Sequence, residues 1–143
     1  MITNIAIASD HRGVTLKRLL VAHLQQKHYQ VQDFGCFSEE SVDYPDFAKL
    51  VTNALVENKQ QVGILICGSG IGMSIAANRN PKIRAALCHN VDCAEAARRH
   101  NNANVIVFGR DFISDSKAIK SLDTFLSTEF SGGRHQPRLD KLS

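Results

Sequence analysis

The chain has 143 residues, 43% of them hydrophobic, and 17 Lys and Arg against 14 Asp and Glu leave a formal net charge of +3. That length suits one domain, 1–143, able to bury a continuous core, and so small a positive surplus calls for no nucleic acid and no membrane as partner. Cys36, Cys67, Cys88 and Cys93 form no C-x-x-C pair, no apolar run approaches the ~20 residues that span a bilayer, and no signal peptide is seen, so a cytoplasmic protein with reduced thiols is expected.

In chain order, Ile2 to Ala8 is a short apolar run rich in β-branched residues that stops at Ser9-Asp10-His11-Arg12-Gly13, as a buried strand entering a loop does. Leu16, Leu19, Leu20 and Leu24 recur at helical spacing between Val14 and Lys27. Tyr29 to Phe34 reads as a second strand, and Gly35 to Tyr44 is the longest polar stretch. Pro45 stands where a first helical residue belongs, its missing N–H costing nothing there. Phe47, Leu50, Val51, Ala54 and Leu55 then draw the clearest amphipathic stripe of the chain.

The pattern repeats. Val62 to Cys67 is a third strand, followed by Gly68-Ser69-Gly70-Ile71-Gly72 and a helix of small residues from Met73 to Asn78. Ile83 to Cys88 makes a fourth strand. Asp92 with Glu95 reads as a capping box that opens a helix to His100. Val105 to Phe108 is the fifth strand, closed by Gly109, and Ser114 caps a last helix carrying Ala118, Ile119, Leu122, Phe125 and Leu126. Five strands alternating with five helices predict an α/β protein, a three-layer αβα sandwich around a parallel sheet. The segment after 129 falls outside the periodic pattern, either a frayed tail or an arm whose Arg134 and Arg138 grip a phosphate.

Ligands of such sheets bind at the carboxyl ends of the strands, which singles out Asp10-His11, the loop from Cys67 to Gly72, His89-Asn90 and Gly109-Arg110. Three glycines in five residues ahead of a helix suit close approach of backbone N–H groups to an anion. Specific phosphate motifs fail, however: Met73 stands where a Walker loop needs Lys and where a cysteine phosphatase needs Arg, and the spacing is not that of a dinucleotide fingerprint. Cys67, aimed at a helix start, is expected to have a lowered thiol pKa, whereas Cys36, Cys88 and Cys93 read as inert. His23 and His28 read as solvated, and no metal-ligand spacing is present.

Taken together, Asp10-His11, Asp43-Tyr44-Pro45, Cys67 to Gly72 with Ala76-Ala77-Asn78, His100-Asn101 with Asn104, and Gly132-Gly133-Arg134-His135 with Arg138 resemble the type B ribose-5-phosphate isomerase family, which also contains galactose-6-phosphate isomerase subunits. The resemblance runs from Ile5 to Arg138. It implies a Rossmann-like sheet in the order 2-1-3-4-5, no cofactor and no metal. It also implies a homodimer or dimer of dimers whose active sites are shared between subunits, and a C-terminal arm over 129–143.

It further implies interconversion of ribose 5-phosphate and ribulose 5-phosphate through a cis-enediolate. Cys67 would take the C2 proton, the Gly68, Gly70, Ile71 and Gly72 amides with the Ser69 hydroxyl would stabilise the enediolate, and His100 would assist ring opening. Asp10, Tyr44 and Asn101 would hold sugar hydroxyls, and His11, Arg134 and Arg138 the phosphate. Cys67 present with Met73 in place of a glutamate puts the chain in the cysteine branch. Arg110 directly after Gly109, with Asp111 next, departs from the family pattern, which has Arg at the second position. Allose or galactose 6-phosphate isomerisation is the alternative substrate reading. A sugar-phosphate-binding regulator without turnover is the alternative of another class.

Overall fold

A computed structural model describes residues 1–142. Its five parallel strands are β1 (Asn4–Ser9), β2 (Gln30–Asp33), β3 (Val62–Cys67), β4 (Ala85–Leu87) and β5 (Val105–Gly109). Six helices accompany them: α1 (Val14–Gln26), α2 (Tyr44–Val56), α3 (Ile71–Asn78), α4 (Val91–Asn101), α5 (Asp115–Ser127) and α6 (Gln136–Asp140). Single 3-10 turns lie at His11–Gly13 and Gly133–His135.

Alternation along the strands sorts the core into two layers. Ile5, Ile7, Ile64, Ile66, Ile106 and Phe108 face the layer of α1, α4 and α5, packing on Leu16, Leu20, Ala97, Leu122 and Phe125. Ala6, Ala8, Leu65, Cys67, Val105 and Val107 face the layer of α2 and α3, packing on Val51, Leu55, Met73 and Ala77. Period-two alternation in strands buried on both sides is what a sheet covered by helices on both faces requires.

The strand order is 2-1-3-5-4, which corrects the expected 2-1-3-4-5. Two physical reasons agree. Val105 to Gly109 is buried throughout and belongs in the interior of the sheet, while Ala85 to Leu87 is only half-buried and suits an edge. Crossovers between parallel strands are right-handed, so a helix moving the chain one way across the sheet lies on the opposite face from one moving it back. Since α4 packs in the layer of α1, opposite α3, the chain must turn back from β4 to β5.

The helix ends hold two further differences. Asn90, not the Asp92–Glu95 pair, caps α4, its side chain accepting from the Cys93 amide at 2.8 Å. Helix α2 begins one residue before Pro45. Ser114 does cap α5, accepting from the Lys117 amide. His23 is not simply solvated but pairs with Asp123 at 2.8 Å, tying α1 to α5. The terminal segment is no frayed tail. Its 3-10 turn and α6 return to the end of α4, where the Ser131 amide donates to the Arg99 carbonyl and Leu139 is buried.

Candidate functional site

The carboxyl edge of β1 and β3 gathers one group of side chains. Asp10, 6% exposed, directly follows β1 and accepts from the Arg12 amide at 3.0 Å, which fixes the turn there. The His11 ring accepts from the Val42 amide through Nδ1 at 3.2 Å, leaving Nε2 as the protonated nitrogen of the neutral ring. That contact anchors the polar loop before α2, so the Tyr44 at its end reaches the same edge. The Tyr44 phenol lies so close over Gly72 that any side chain at position 72 would overlap its hydroxyl end.

The loop after β3 is built around Cys67. Cys67 is 5% exposed, and its Sγ accepts from the Gly70 amide at 3.2 Å. Gly70 has φ of 78°, open to glycine at little cost, and ends on α3 as its N-cap. The Ser69 hydroxyl accepts from the Ile71 amide at 3.1 Å, and the carbonyl of Ser69 abuts Gly109, where a Cβ would collide with it. Tyr44 thus covers the Gly72 end of this cradle of amides, and the Asp10 carboxylate stands near enough to act on the Cys67 thiol.

Burial pushes the Cys67 thiol above its ordinary pKa, the Met73 and Gly70 amides pull it down less strongly, and the Asp10 carboxylate adds to the rise. The expected lowering is thus reversed. Helix-start amides do favour the thiolate here, but desolvation and a neighbouring negative charge outweigh them.

The other predicted residues sit elsewhere. His100 and Asn101 end α4, and a helix that follows a parallel strand runs back to the amino edge of the sheet. There the Asn101 carbonyl accepts from Arg84 Nε at 3.1 Å, just ahead of β4. His100 stacks on His135 with ring centroids 4.8 Å apart, which sets Arg134 beside it. Desolvation and the charges of His100, Arg134 and Arg138 hold His135 below the usual histidine pKa. Cys67 pairs with Gly109 at the far end of β5 from Val105, so the two groups stand about 13 Å apart along the strand alone, at ~3.3 Å per residue. One chain therefore brings Asp10, His11, Tyr44, Cys67 and Gly68 to Gly72 together, and leaves His100, Asn101, Arg134 and Arg138 on the opposite edge. A cleft of about 460 Å³ lies on that amino edge, lined by Asn78, Arg84, Asn101 and Leu139 among others, far from the thiol.

Sequence reasoning missed two neighbours of the site. Lys17, 1% exposed, pairs with Asp33 at 2.5 Å, and Asp33 also accepts from the Gly35 amide, bracing the start of the loop that ends at Tyr44. Its signal was readable: position 17 shares the apolar stripe of Leu20 and Leu24. Arg12 crosses Gly68 to meet Asp111, a contact between residues 99 apart in sequence that no local pattern announces.

The Ribose/Galactose Isomerase family model matches residues 5–142. The chain belongs to the ribose/galactose isomerase family. A Listeria innocua relative named ribose-5-P isomerase B is 44% identical over 136 residues, covering 95% of this chain and 92% of that one. The crystal structure of a Thermotoga maritima ribose 5-phosphate isomerase is 51% identical with a TM-score of 0.96, covering 99% and 97%. That of Mycoplasma genitalium ribose-5-phosphate isomerase B, with bound ribulose-5-phosphate, is 46% identical with a TM-score of 0.94, covering 99% and 95%. The isomerase fold of these relatives is the α/β sheet described above. Among the described residues no helix is long and apolar enough to cross a membrane, and no group of three or more His, Cys, Asp or Glu could hold a metal ion.

Proposed function

We propose that the chain is an aldose–ketose isomerase that interconverts D-ribose 5-phosphate and D-ribulose 5-phosphate. The observation that carries this is the Cys67 thiol beside the amide cradle, with Asp10 and Tyr44 on the same edge, in a chain 46% identical to an isomerase holding ribulose-5-phosphate. The thiolate of Cys67 takes the proton from C2 of the open-chain aldose while the C1 carbonyl oxygen becomes an enediolate oxygen. The C2 hydroxyl gives up its proton and O1 takes one, so the charge passes from O1 to O2. The thiol then returns its proton to C1, C2–O becomes the ketone carbonyl and Cys67 is a thiolate again. No electron leaves the substrate. A raised thiol pKa makes the thiolate a stronger base at the cost of its population near neutrality.

Within the loop the Gly70 and Ile71 amides are held by Cys67 Sγ and the Ser69 hydroxyl, which fixes its shape. The Gly68 and Gly72 amides serve the developing oxyanion, and such preorganised donors are the largest contribution in many enzymes. Ser69 serves the cradle through its backbone and its cap on the Ile71 amide. Asp10 and Tyr44 hold sugar hydroxyls, and His11 donates to the phosphate through Nε2. His100 shuttles the proton of the ring oxygen, with Asn101 on a hydroxyl and Arg134 and Arg138 on the phosphate.

Because these last four lie on the opposite edge, a complete site needs two copies, the amino edge of one meeting the carboxyl edge of the other across a twofold axis. The homodimer is supported by the exposed Ile71 and Ile75, each 53% accessible, on the helix that follows the thiol loop. One helical turn apart on α3, they are neighbours on one face, an apolar patch that a second copy would cover. The test is direct: the purified protein is assayed with ribose 5-phosphate and allose 6-phosphate side by side. Ketose formation from the pentose phosphate in preference supports the reading. Turnover of the hexose phosphate alone would replace the substrate, and binding without turnover of either would make the chain a sugar-phosphate-binding regulator.

A further inference from the structure

The carboxyl edge carries a cation that the mechanism above does not use. Arg12 follows Asp10 and His11 in the turn after β1, and its amide is tied to the Asp10 carboxylate. Its side chain lies along the first residue of the cradle: a Cβ at Gly68 would meet Nη1, Cδ and Cζ of Arg12 at 3.4–3.5 Å. Beyond Gly68 its Nη2 donates to Asp111, so one arginine spans the loops that follow β1, β3 and β5. A guanidinium offers five N–H donors in a fork that fits an oxyanion, and among the described residues only Nη2 has a side-chain partner.

That partner is weakly held. The two side chains are 53% and 41% exposed, and a pair so open to water adds little stability. Exchanging the Asp111 carboxylate for a substrate oxyanion therefore costs little. Neighbouring cations are committed otherwise: Lys17 is buried against Asp33, and Arg110 pairs with Asp115 at 3.4 Å. Resting on the isomerase reading, we propose that Arg12 is a further substrate-binding residue, parked on Gly68 by Asp111 and released to an oxygen of the bound sugar phosphate.

The proposal is tested with Arg12→Ala, Arg12→Lys and Asp111→Asn assayed beside the wild type. Arg12→Ala raises KM about tenfold or more with a smaller change in kcat, as loss of a charge-assisted contact made in the ground state should. Arg12→Lys restores part of it, and Asp111→Asn does not share the rise. If competitive inhibition by inorganic phosphate weakens in step with KM, the fork holds the phosphate group; if that inhibition is unchanged, it holds a sugar oxygen. An unchanged KM in Arg12→Ala overturns the proposal. So does an equal rise in Arg12→Ala and Asp111→Asn, the result of an ion pair with only a structural role. Should the wild type not isomerise ribose 5-phosphate, the isomerase reading fails separately. Arg12 is then judged by the ribose 5-phosphate concentration that protects Cys67 from iodoacetamide, where a higher requirement in Arg12→Ala supports binding and an equal one overturns it.

Discussion

Cys67 sits between opposed influences, and its behaviour tests the chemistry at the scale of one residue. Burial and the Asp10 carboxylate favour the neutral thiol, while the Met73, Gly70 and Ser69 amides favour the thiolate. With the thiolate as the proposed base, kcat/KM of the free enzyme should rise with pH and be lost on acidification. Because the pKa is raised, that limb and the pH profile of iodoacetamide alkylation both have midpoints above the ordinary thiol value of about 8.5. A midpoint below that value would show that the amides win. Cys67→Ala keeps the fold and lowers kcat by ~10²–10⁴-fold, the usual loss for a positioned base; near-normal kcat would remove the thiol from the mechanism. The position of Cys67 at a strand end was readable from sequence, as was the glycine loop after it. The sign of its pKa shift was not, because the packing that desolvates the thiol comes from β1, β5 and α3, which sequence spacing does not reveal. The same holds for Arg12, whose partner is brought in by β5.

Elements were legible where their own residues decide them. Cys67 closes a third strand with the bounds expected, since Val62 to Cys67 is apolar throughout and bounded by polar and glycine residues. The α4 start was misplaced because Asp92 and Glu95 mimic a capping box, while the backbone turns extended at Asn90, with φ of −157°, and only there can a side chain reach the Cys93 amide. Asn90→Ala accordingly destabilises the protein by about 1 kcal/mol in denaturant unfolding, the usual cost of a lost cap. Asp92→Ala costs less, since Asp92 acts only through the helix dipole. Equal effects would restore the capping-box reading. The order of β4 and β5 escaped the sequence for a different reason. Both are apolar and both are followed by a helix, so the turn shows only in the burial of β5 against β4 and in the face taken by α4.

At the scale of the molecule, the sheet separates what the proposed chemistry must join. The cradle, the thiol and Asp10 stand at the carboxyl edge, while His100, Asn101 and the two arginines of the C-terminal arm stand at the amino edge. The family motif named all of them, but the sequence carries no sign of their separation, because antiparallel return of α4 follows from the fold. Arg134→Ala and Arg138→Ala should raise KM more than they lower kcat, since the proposed role of both is to hold the phosphate and not the reacting carbons; an unchanged KM in both would leave the arm a structural extension. The measurement that bears most directly on the whole account mixes two dead variants, Cys67→Ala and His100→Ala, under conditions that exchange subunits, with heterodimers verified by native mass spectrometry. Each twofold heterodimer has one site with both lesions and one with neither, so statistical exchange predicts recovery of about a quarter of wild-type activity. Heterodimers that form and remain inactive would contradict a site shared between the two edges.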